Sequence, residues 1–201
     1  MSSPSCPRNN VTPLILAALF GHADAVKTLV ENGANVNAKS VEGISPLHAV
    51  CYHGHLEAAK ALLTDQCNIN AKDNTGTTPL FLAAMNGHLA VIKCLIEHGA
   101  DVNVSDNRLW SPLHLAAYNG ILEVVKLLVE RGANVNATTN QSVTPLHFAA
   151  GIGSSAVANY LLDKGAPSAT NLGYPGKLLI EKDIQTLSKF LVNPNFIQFC
   201  C

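Results

Sequence analysis

Residues 111–143 read SPLHLAAYNGILEVVKLLVERGANVNATTNQSV, and this stretch decides the fold. It is the cleanest copy of a unit that recurs about five times, with Ser/Thr-Pro-Leu at 12, 45, 78, 111 and 144, always 33 residues apart. A fixed period of this size marks an array of stacked supersecondary units. Inside the unit, Ser111 suits a helix N-cap, because its hydroxyl can accept a bond from a free backbone N–H. Pro112 follows at the first helical position, where its missing N–H costs nothing. Leu113, Leu115, Ala116 and Ala117 make a short helix with a small-residue face that lets a neighbour approach closely. Asn119-Gly120 ends it, since glycine tolerates positive φ. Residues 121–131 form a second helix. Its apolar positions Leu122, Val124, Val125, Leu127, Leu128 and Val129 cover most of its circumference, so it packs on more than one side. Gly132 closes it, and Asn134-Val135-Asn136 runs extended into a polar loop. One such unit cannot bury its own faces; stacking on neighbours buries them.

The period and the SPLHLAA wording resemble the ankyrin repeat. The resemblance covers roughly residues 8–192 and implies an all-α ankyrin-repeat solenoid of stacked helix–turn–helix units joined by β-hairpin-like loops. It divides the chain into a loose N-terminal tail (1–10), five repeats (11–171), a degenerate sixth repeat or C-terminal cap (172–192) and an apolar tail (193–201). The copies differ. His48, His114 and His147 stand where repeat one has Ile15 and repeat three has Phe81, and the resemblance implies that these rings tie adjacent loops together. Repeat two has Asp65-Gln66-Cys67 where the others have x-Gly-Ala. A left-handed Gln66 would cost about 1 kcal/mol and predicts a weak joint. Repeat five decays from Gly151 onward. The first helix of repeat one is strongly apolar with no polar repeat before it, so both ends read as unfinished and the chain as part of a longer array.

Charged residues are 13% and hydrophobic ones 48% of the 201 residues, which argues against disorder. The net charge is −1 and Lys and Arg are scattered, so no basic stripe offers itself to nucleic acid. Six cysteines at 6, 51, 67, 94, 200 and 201 give no staple framework. That favours a reducing compartment, the cytoplasm or the nucleus. Arg8, the apolar run from Leu14 to Phe20 and Ala23-Asp24-Ala25 imitate a signal peptide, but Pro13 interrupts the run and the repeat register already explains it. No apolar run reaches the roughly 18 residues needed to cross a membrane.

Chemistry-bearing motifs are sparse. His48, Cys51, His53 and His55 are dense enough to suggest a metal site, which needs three or four converging ligands. Their repeat positions predict that they diverge, and no metal or other cofactor is expected. No nucleophile elbow, phosphate-cradling loop or paired-carboxylate wording appears, so no catalytic residue is expected. The resemblance implies a concave face built from loop tips and first-helix ends, where a protein partner of unknown identity binds. The partner-binding candidates there are Tyr52, His53, Met85, Arg108, Trp110, Tyr118 and Asn119, of types enriched at interfaces in the case of Tyr, Trp, Met and Arg. The resemblance also implies candidate asparaginyl hydroxylation at Asn103, Asn37 and Asn136, each eight residues after a leucine. Cys200-Cys201 resembles a double-cysteine prenylation ending, which would make the chain a lipid-anchored membrane-surface protein, although no polybasic segment lies upstream. The reading that follows is a non-catalytic scaffold or adaptor.

Overall fold

The computed structural model describes residues 10–167. They form ten α-helices in five pairs: α1 (Pro13–Leu19) and α2 (Ala23–Glu31), α3 (Pro46–His53) and α4 (Leu56–Leu62), α5 (Pro79–Asn86) and α6 (Leu89–Glu97), α7 (Pro112–Tyr118) and α8 (Leu122–Glu130), α9 (Pro145–Gly151) and α10 (Ser155–Asp163). No strand occurs among the described residues. Every first helix begins at an extended Ser or Thr followed by proline.

The first helices pack on one another in one row and the second helices in another. Beyond the first joint, contact along the first-helix row is closer than along the second-helix row. The array therefore bends toward its first helices, and that side is concave. The small residues explain the close inner row. Ala18, Cys51, Ala84 and Ala117 recur every 33 residues and are all completely buried. Cys51 thus fills an alanine position as a small hydrophobe, and burial pushes its thiol pKa well up. The core is continuous from Leu14 to Ala166, as expected where each unit buries its faces on its neighbours.

The loops before the first helices share one closure. Ser40, Asp73, Asp106 and Thr139 each use a side-chain oxygen to accept the N–H groups two and four residues on. The same four residues donate their own N–H to the carbonyl four residues later, at 2.9–3.0 Å. The result is a hairpin-like tip. It puts Gly43, Gly76, Leu109 and Ser142 in the left-handed region, and Asn10, at the same register, is left-handed too, with φ between +54° and +81°.

Repeat two departs from the sequence-based expectation. Gln66 does not adopt positive φ. Instead α4 stops at Leu62, two residues shorter than the nine-residue second helices of the other repeats, and the chain turns through a Cys67 N–H to Thr64 carbonyl bond of 2.9 Å. Shortening the helix avoids the strain a left-handed glutamine would carry. It leaves an open cavity of about 540 Å³ between repeats one and two, lined by residues that include Val30, Val36, Asp65 and Gln66.

Candidate functional site

Charge is segregated across the array. The five first helices contain no Asp, Glu, Lys or Arg. Every second helix carries charge, as with Glu57 and Lys60 on α4 or Glu123, Lys126 and Glu130 on α8. The first-helix row is therefore free of ions, charge on that side being confined to tip residues such as Glu42 and Arg108, while the second-helix row carries ions throughout. Two rows of side chains run along the first-helix ends at 33-residue intervals. Leu19, Tyr52, Met85 and Tyr118 are half-buried, and Leu19, Met85 and Tyr118 lean on the core. Beside them Phe20, His53, Asn86, Asn119 and Ile152 are exposed.

The tips form a hydrogen-bonded ladder. Asn74 Nδ2 donates to the Val41 carbonyl at 2.9 Å, and Asn107 Nδ2 to the Asn74 carbonyl at 3.3 Å. The backbone N–H groups of Asn74, Asn107 and Asn140 donate to Glu42, Thr75 and Arg108 carbonyls at 3.0–3.1 Å. Lys39 and Lys72 are tied in the same way, each Nζ donating to a carbonyl of the next loop at 2.8–2.9 Å. Asn119 Nδ2 donates to the Met85 carbonyl. These bonds fix the tips relative to one another.

Repeat four carries the most constrained tip. Asp106, 4% exposed, accepts from the Arg108 and Trp110 N–H groups and from Arg108 Nε and Nη2 at 3.1 and 3.0 Å. The Arg108 guanidinium also lies 5.7 Å from the centre of the Trp110 ring. Trp110 differs from its expected place on an accessible surface: it is 1% exposed, with its ring centroid 4.5 Å from that of Phe148. The indole is apolar and large, so stacking it on the next repeat outweighs leaving it in water. It supports the site from beneath. Arg108, Tyr118 and Asn119 share this part of the concave side; Tyr52, His53 and Met85 lie one and two repeats away along the same rows.

The histidines split into two groups. His48 and His114 are fully buried. The N-cap N–H of Ser45 or Ser111 donates to the ring Nδ1 at 3.2 or 3.0 Å, and Nε2 lies 3.0 Å from the Thr77 carbonyl or 3.2 Å from the Val143 carbonyl. Nδ1 accepts, so Nε2 carries the proton and donates to the next loop. Burial pushes both pKa values down, that of His114 to about 4. The second group lies at the helix ends. His55 and His88 reach back to the Leu19 and Tyr52 carbonyls at 3.2 and 3.1 Å. His88 lies over Gly54 so closely that a Cβ there would meet the ring at 2.5 Å. His53 and His55 were expected to diverge; their rings stack, with centroids 5.6 Å apart, because the αL turn at Gly54 folds the chain back. His48 and Cys51 lie elsewhere, in the core. Among the described residues no group of three or more His, Cys, Asp or Glu side chains is placed to hold a metal ion, and no helix is long and apolar enough to cross a membrane.

The hydroxylation candidates sit in loops. Asn37 and Asn103 each bridge to the following repeat, Nδ2 donating to the Gln66 or Gly132 carbonyl and Oδ1 accepting from the Asn68 or Asn134 N–H, at 2.7–3.0 Å. Asn136 is exposed. Cys200, Cys201 and the region assigned to a sixth repeat lie outside the described residues. One residue escaped the sequence-based selection. Leu109 projects from the repeat-four tip, 52% exposed, with φ +64°. The available signal was that repeats two and three have Gly43 and Gly76 at this position.

A family model described as ankyrin repeats (3 copies) matches residues 14–106, 47–139 and 105–171. No curated protein matches the chain.

Proposed function

This chain belongs to the ankyrin-repeat family, and because such repeats are in general protein–protein interaction modules, we propose that it is a non-catalytic adaptor or scaffold holding a protein partner on its concave face. The observation that carries this reading is the charge segregation. A surface without ions on its first helices, and with its tips bonded into a ladder, loses little solvation and little conformational freedom when covered. The aromatic and thioether side chains of Tyr52, Met85 and Tyr118 add contact area of the kind that dominates binding energy. Arg108 and Asn119 frame them, and His53 lies farther along. Trp110 acts by fixing the tip that carries Arg108.

The test compares partner capture by the wild-type chain, a concave variant Asn86→Arg/Asn119→Arg, and a convex variant Glu97→Gln/Glu130→Gln. All four substituted side chains are exposed, so the fold tolerates each change. The concave variant is expected to lose the proteins that the wild type retains, and the convex variant to keep them. Equal capture by all three places the binding surface elsewhere.

A further inference from the structure

The repeats are not equally covered, and the 33-residue register shows where cover is missing. Ala150 follows Ala18, Cys51, Ala84 and Ala117 in register. Those four are completely buried, whereas Ala150 is exposed. Ala158 follows Val26, Ala59, Ile92 and Val125, again all completely buried, and is itself only half-buried. Leu162, on the same helix, is 41% exposed. In repeats one to four the next repeat closes these positions. Repeat five therefore leaves an apolar face of α9 and α10 open on the side where a further unit would stack.

The same face holds unmet donors. His48 and His114 donate Nε2–H to a carbonyl 29 residues on. His147 sets its ring in the same way, Nδ1 accepting the Thr144 N–H at 3.0 Å, so its Nε2 carries the proton too. Among the described residues no carbonyl receives that proton. The Tyr160 hydroxyl on α10 is shielded from water and has no hydrogen-bond partner. Shielded polar groups normally find one. Apolar area beside unmet donors suits a polypeptide, whose backbone brings carbonyls along with its side chains.

We propose that residues 168–201 of this chain cover the open face of repeat five. The described residues end at Pro167, just past α10, so the segment starts at the edge of that face. It is longer than one 33-residue period. Its apolar residues include two clusters, Leu178-Leu179-Ile180 and Phe190-Leu191-Val192. Leu179 continues the row Leu14, Leu47, Leu80, Leu113 and Leu146, all of them buried. Asp183 falls in register with Ala150, where a charge suits a unit whose far side meets water. Glu181-Lys182 stand where the five repeats have apolar residues, so the segment fits as a cover and not as a full further repeat. The tether favours it over a second copy of the chain. A segment joined to the edge of a face meets it at an effective concentration of about millimolar, far above that of a separate molecule.

The experiment follows amide hydrogen exchange of the full chain by mass spectrometry, with its mass in solution measured by light scattering. The variants are Ala150→Arg, which sets a charge on the open face, and Asn159→Lys, which repeats the lysine found in register at 27, 60, 93 and 126. Both side chains are exposed, so repeat five tolerates each change. The expected result is a monomer in which residues 177–192 exchange about tenfold more slowly, or slower still, in wild type and Asn159→Lys than in Ala150→Arg. NMR of the wild type should also show a slowly exchanging ring Nε2–H signal for His147 that Ala150→Arg loses. Free-chain exchange rates across 168–201 in wild type overturn the proposal. So does protection that Ala150→Arg leaves unchanged, which places the segment on another surface. A dimer whose protection disappears on dilution gives the face to a second copy and overturns it as well. A missing His147 signal beside a protected segment overturns the bond assigned to that ring.

Discussion

Acidification from pH 7 to pH 5 should destabilise the array, and His114 supplies one separable part of that loss. In the folded chain its pKa is about 4, because burial disfavours the imidazolium more than the bond to the Val143 carbonyl favours it. In an unfolded chain a histidine titrates near 6.5. The folded value is the lower one, so the stability it contributes is complete above about pH 6.5 and is lost as pH falls toward 4. At pH 5 the unfolded chain is almost fully protonated at this site and the folded chain only about one-tenth. Linkage converts that difference to about 2 kcal/mol. The assay is urea unfolding at both pH values, followed by fluorescence of the single tryptophan, Trp110, whose ring centroid is 6.1 Å from that of His114. The comparison is His114→Phe, a change that repeat three already makes with the buried Phe81. The variant keeps His48, which also titrates low through burial, so that contribution cancels. Wild type should lose about 2 kcal/mol more than the variant between pH 7 and pH 5. Equal losses would refute the argument.

Leu109→Gly should raise the stability of the free chain by about 1 kcal/mol, seen as a higher urea midpoint at unchanged slope, because it relieves the left-handed leucine. Trp110→Ala should cost about 3–5 kcal/mol, since the indole is buried between repeats four and five; a cost below 1 kcal/mol would show that the tip does not depend on it. Gly54→Ala should destabilise by more than the roughly 1 kcal/mol of backbone strain, because its Cβ also strikes the His88 ring, and a double variant with His88→Ala should recover the excess. Asn103→Ala should cost about 1 kcal/mol and speed amide hydrogen exchange at Asn134, which loses its acceptor; unchanged exchange there would rule out the bridge.

Periodicity made the architecture legible. The Ser/Thr-Pro-Leu spacing placed all five first helices, because capping and proline chemistry are local. The histidine bonds between loops were legible through the family resemblance and hold for His48 and His114. Gln66 was misread because a missing glycine has two remedies, strain or a shorter helix, and only packing of repeat two against its neighbours decides between them. Trp110 was misread for a related reason: its residue type suggests an interface, while its depth depends on Phe148, 38 positions away, turning toward it. The stacking of His53 on His55 hinges on the αL geometry at Gly54. The strain at Leu109 was readable in principle, from two glycines in register with it.

Among the described residues, the side-chain hydrogen bonds that join one repeat to the next span 29 to 36 residues and none is longer. Each joint therefore closes a loop of nearly the same length, and the entropy of closing it depends only on the logarithm of that length. The sequence separation of contacts stays fixed however many units are stacked, so the time needed to form a joint should not lengthen as the array grows. The molecule behaves as a zipper whose teeth are evenly spaced but unequal in grip. Repeats one and two mesh along both helix rows despite the cavity beside Gln66, whereas repeats three and four mesh closely along the first-helix row alone, so mechanical pulling should part the chain between three and four before it parts there.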